Sequence, residues 1–174
     1  MYNHPELAGE VVSIATGFDR NAVLYVRSVA PYGLNDVQRR TIERLHALRG
    51  EGVLDAVDYE VWGRAIPDDS RTEAARTYER FVEWADEHGY SLAPGFGVRE
   101  TGTLVSDRSE TVISFPLLCL GVYERGRVEA VFPCTDEERT YTVEDGLRAL
   151  EAEGRVDLTT DADRSRPLLD PIDR

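Results

Sequence analysis

The chain has 174 residues, 33 of them Asp or Glu against 20 that are Lys or Arg, for a formal net charge of −13, and all 20 basic residues are Arg. Leu, Ile, Val and Phe together make about a quarter of it, enough apolar surface to offset the ordering entropy of one domain, which excludes an intrinsically disordered chain. The longest apolar run, Phe115 to Val122, is too short to cross a bilayer, and the acidic surplus opposes unaided binding to nucleic acid or anionic membranes.

Arg in place of every Lys has two sources, a GC-rich genome and a cytoplasm at molar salt, which coincide in extreme halophilic archaea. In ~1 M salt the screening length falls to about 3 Å, so dense carboxylates hydrate the surface at little repulsive cost. The opening Met1-Tyr2-Asn3-His4-Pro5-Glu6 lacks the basic and apolar regions of a signal peptide, so a cytoplasmic location is expected.

Residues 1–20 read as an N-terminal segment with a candidate edge strand at Glu10 to Ile14, and residues 21–154 as a single domain. Asn21 to Val29 is a β-rich run bounded by Pro31 and Gly33. Asn35 to Arg49 predicts a helix: Asn35 caps it, Gln38 reaches back, Val37, Thr41/Ile42, Leu45 and Leu48 form its stripe, and Gly50 and Gly52 end it. Val53 to Arg64 predicts a strand whose Val57, Tyr59 and Val61 face the core while Asp58, Glu60 and Trp62 face water. Pro67 to Ser70 starts a second helix with a Ser70/Glu73 capping box and a stop at Gly89.

Ser91 to Val98 reads as a weaker strand and Gly102 to Ser109 as a loop. Glu110 to Cys134 predicts a hairpin turning at Glu124-Arg125-Gly126-Arg127. Its first arm is apolar on both faces, so it belongs in the sheet centre or under cover on both sides, and Pro116 and Pro133 mark bulges or ends. Thr142, with Asp145 nearby, caps a third helix ending at Gly154, and residues 155–174 form a polar tail.

This order predicts an α+β fold: one mixed or antiparallel sheet of about five strands with two or three helices on one face, compatible with a ferredoxin-like topology. A winged-helix-related fold is the alternative. The doubly apolar hairpin is the expected seam of a homodimer.

No catalytic or cofactor-binding residues emerge, which points to a non-enzymatic protein. Gly-x-Ser-x-Gly is absent, Gly95-Phe96-Gly97 opens no helix, and the acidic pairs are too numerous to single one out. His4, His46 and His88 show no ligand spacing with Cys119 or Cys134, so no metal is expected, and the cysteines read as buried thiols. The helix Asn35 to Arg49 is the basic exception in an acidic chain, and Arg39, Arg40 and Arg44 are its candidate phosphate contacts. A second candidate, for a small-molecule ligand or an interface, is an uncovered sheet face near Trp62, Phe115 and Tyr123.

Leu45 to Gly52 and Leu147 to Gly154 share the pattern L-x-A-L-x-x-E-G. With Val23 to Ser28, Pro31-x-Gly33, Arg40 to Leu45, Val61 to Arg64, Phe132 to Thr135 and Tyr141 to Leu147, the chain resembles a family of small haloarchaeal proteins of uncharacterised function, commonly labelled helix-turn-helix (HTH) domain-containing. The resemblance spans about Ala22 to Glu153. It implies DNA binding or transcription regulation, on DNA or on a partner protein, and brings no catalytic residues.

Overall fold

Helix starts follow local capping chemistry in this computed structural model, which describes residues 19–27, 35–102 and 109–157, the side chains of 154–157 excepted. The Glu10 to Ile14 strand, the first strand's end at Val29, the loop interior at 103–108 and residues 158–174 lie outside the described residues. Helix α1, Asp36–Gly50, opens on the expected capping box: the Gln38 N–H donates to Asn35 Oδ1 and the Asn35 N–H to Gln38 Oε1. Helix α2, Glu73–His88, begins later than expected. Its cap is Thr72, whose hydroxyl accepts from the Ala75 N–H, because Ser70 is taken up in a turn with its N–H on the Pro67 carbonyl. Helix α3, Val143–Asp157, opens on Thr142, which trades hydrogen bonds with Asp145, and runs on through Gly154.

The strands are β1 Arg20–Arg27, β2 Ala56–Trp62, β3 Ala65–Pro67, β4 Gly97–Gly102, β5 Ser109–Ser114, β6 Leu118–Glu124, β7 Arg127–Phe132, β8 Cys134–Thr135 and β9 Thr140–Tyr141. Four of them make the main sheet in the order β2-β1-β6-β7, and β3-β5-β4 and β8-β9 are separate small sheets. The fold is therefore α+β. β1 and β2 pair directly and in parallel, Leu24 opposite Tyr59, whereas a ferredoxin-like sheet would split such a pair with a third strand. Strands also separate every pair of consecutive helices among the described residues, so these residues contain no winged-helix core.

β6 and β7 form a hairpin at the expected turn, but Glu110 to Ser114 fall in β5 of a separate sheet rather than in its first arm. Its two-residue loop uses positive φ at Arg125, 51°, and Gly126, 76°, the twist that suits a right-handed strand pair. A register shift at Val122/Tyr123 changes the pairing parity along its two arms.

Neighbouring residues of β1 show what covers the sheet. Leu24 faces Leu45 of α1, and α3 lies beside α1, so Leu45, Leu48, Leu147 and Leu150 are all buried. The repeated L-x-A-L pattern thus marks two helices presenting the same edge to one sheet face. Tyr25 points the other way and meets Phe81 of α2 edge-on at 5.6 Å. Two helices share one face, as expected, but the opposite face is closed by α2. The central strand β6 is therefore covered on both sides by its own chain, and a second copy finds no open hairpin face.

β2 turns Val57 onto the core and leaves Asp58 and Glu60 in water, as expected, but departs from the expectation at its C-terminal half. Trp62 is buried while Tyr59 and Val61 are 58% and 60% exposed, because β2 is an edge strand and Trp62 inserts between Tyr25 and Phe115.

Candidate nucleic-acid interface

α1 buries Gln38, Thr41, Leu45 and Leu48 and turns its remaining face outward. Arg39 and Arg40 lie on that outer face, both exposed. Arg39 pairs with Asp36 one turn back. Arg40 has no ion pair among the described residues.

Arg44 is placed otherwise. Its Nε and Nη2 donate to the two carboxylate oxygens of Glu151 at 2.8 and 3.0 Å, and Nη1 donates to Glu144 at 2.6 Å. This two-pronged geometry is the strongest ion-pair arrangement an arginine makes. The Glu151 hydrogen bond first and the Glu144 bond second raise the guanidinium pKa above its usual value. Arg44 therefore fastens α1 to α3, and a phosphate would have to displace two carboxylates to reach it.

The sequence reading passed over Arg20, which plays a similar part. It is largely buried at the start of β1, with Nη2 donating to Glu129 at 3.0 Å and Nη1 to Glu153. Burial pushes the Glu129 carboxyl up in pKa, opposed by Arg20. Both partners are more than a hundred residues away, so only strand register and helix placement reveal the cluster.

The aromatic candidates fall together but inside. Trp62 stacks on Phe115 at 4.5 Å and on Tyr25 at 4.9 Å, and the Tyr123 hydroxyl shares a 2.7 Å hydrogen bond with that of Tyr25. Phe81 and Phe96 close the cluster edge-on. Burial raises the pKa of both phenols, so they stay neutral. The face expected to be uncovered is filled by the chain's own rings. Cys119 and Cys134 are free and buried; desolvation holds the first thiol well above its ordinary pKa and lifts the second to about 12. Among the described residues no group of three or more His, Cys, Asp or Glu is placed to hold a metal ion, and no helix is long and apolar enough to cross a membrane.

A family model described as a helix-turn-helix domain matches residues 16–155. The chain belongs to this helix-turn-helix domain family. No curated protein and no solved structure matches it. A helix-turn-helix unit ordinarily lays one helix across the DNA backbone and the next in the major groove. In this helix-turn-helix family domain strands instead separate α1 from α2 and α2 from α3, and α1 is the helix whose outer face carries Arg39 and Arg40.

Proposed function

We propose that this domain is a non-enzymatic, DNA-binding regulator of transcription from a halophilic archaeon, and that it meets DNA through the outer face of α1. Family membership over residues 16–155 carries the DNA part of the reading. The exposure of Arg39 and Arg40, in a chain of net charge −13, supports the choice of surface. Arg44 is left out of that surface because α3 already holds it.

In molar salt little affinity is available from counterion release. Base-edge hydrogen bonds and groove shape would then carry more of the recognition than in a dilute cytoplasm. The test is fluorescence anisotropy on labelled duplex fragments of genomic DNA across a KCl series, comparing the protein with Arg39→Glu/Arg40→Glu. The double reversal is expected to weaken binding more than tenfold at the lowest salt that keeps the fold, and to reduce the salt slope by about two, one per phosphate contact. Unchanged affinity and slope would remove α1 from the interface.

A further inference from the structure

We propose that the open edge of β2 is a docking strand for an extended segment of a partner protein that alternates apolar and basic residues. β2 is paired on one side only, by β1, and its outer edge has no partner among the described residues. Exposed edges of this kind accept an added strand through backbone hydrogen bonds, with alternate side chains supplying specificity.

The side chains state what would fit. Val57, Tyr59 and Val61 lie on one face of the strand, with Tyr59 and Val61 largely exposed. Beside them a groove of about 210 Å³ runs between β2 and α1, lined by Leu24, Ile42, Leu45 and His46 as well as Val57, Asp58 and Tyr59. An incoming strand's apolar residues would cover this face. Asp58 and Glu60 lie exposed on the opposite face. Arg or Lys at the alternate positions of the incoming strand would meet them, and cross-strand pairs of opposite charge are favourable where like charges are not.

The same two carboxylates argue against a second copy. Antiparallel pairing of β2 with itself about Tyr59 would set Asp58 against the Glu60 of the other chain. One pair of residues thus repels self-association and selects a basic strand, which the net charge of −13 also steers inward. The inference is independent of whether α1 binds DNA.

The test uses the full chain in ~1 M KCl, where only charges in direct contact still act. Three capped peptides of the length of β2 are the probes: one alternating Val and Arg, one with the same residues in two blocks, and one alternating Val and Glu. The readout is amide hydrogen exchange resolved by NMR. The alternating Val/Arg peptide is expected to slow exchange roughly tenfold at every second amide of Ala56–Trp62, those turned away from β1, while the other two leave it unchanged. Asp58→Arg/Glu60→Arg should lose the Val/Arg peptide and gain the Val/Glu one, an exchange of preference that an unfolded variant cannot show. Equal effects of the alternating and block peptides would overturn the proposal, as would a variant with unaltered preference. So would outer β2 amides already protected in the protein alone, which would mean that the chain or a second copy fills the edge.

Discussion

Arg40 and Arg44 stand one helical turn apart on α1, yet one faces solvent and the other is clamped by Glu144 and Glu151. The Arg cluster was legible in the sequence; its division was not, because the partners of Arg44 lie 100 and 107 residues further on. Arg44→Ala is expected to lower stability by about 1 kcal/mol, the scale of a partly exposed ion pair, with DNA affinity unchanged. Urea unfolding and anisotropy on one preparation check both halves. Gly146 offers a sharper case. In most helices Gly→Ala stabilises by roughly 1 kcal/mol, but here a Cβ would come within 2.5 Å of the buried Phe132 ring, so Gly146→Ala should destabilise by about 1–3 kcal/mol. A higher melting temperature for that variant would refute the close packing of α3 on β7. Asp136 governs a pH effect. The Tyr141 hydroxyl first, then the Arg139 and Glu138 N–H groups, hold its carboxyl below the usual pKa. A lowered folded-state pKa stabilises above the ordinary carboxylate range, and that contribution is lost as pH falls through the lowered value. Tyr141→Phe should therefore melt earlier than the parent at neutral pH, with the gap closing on acidification.

The starts of α1 and α3 were readable because caps act locally: Asn35 with Gln38 and Thr142 with Asp145 lie within one turn of the residues they satisfy. The burial of Trp62 was not. Alternation puts Val57 on the core side and Asp58 and Glu60 in water, but Trp62 on that second face is covered by Phe115, a residue in another part of the chain. Strand β4 was misplaced for a similar reason. Ser91 bonds Thr135 as an isolated bridge, and regular pairing starts only at Gly97, where β5 is available. Trp62 joins these elements, stacked between Tyr25 of the main sheet and Phe115 following the small one. Trp62→Ala is expected to cost about 3–5 kcal/mol, and a loss under 1 kcal/mol in urea would contradict that joining role.

For the molecule as a whole, a net charge of −13 was the plainest feature of the sequence, and it sets the conditions under which every other property is expressed. Self-repulsion of this size is relieved as the screening length shrinks, so the thermal midpoint should rise as KCl goes from ~0.1 M to ~1 M. A midpoint that falls over that range would show that attractive ion pairs, such as those of Arg20 and Arg44, outweigh the repulsion. The acidic surplus also confines DNA to few surfaces. The most direct measurement of the central claim is NMR mapping of a duplex titrated into labelled protein. Shifts concentrated on Arg39, Arg40, Glu43 and Ala47 are predicted; shifts confined to the β4–β5 hairpin, or none at any DNA concentration, would contradict it.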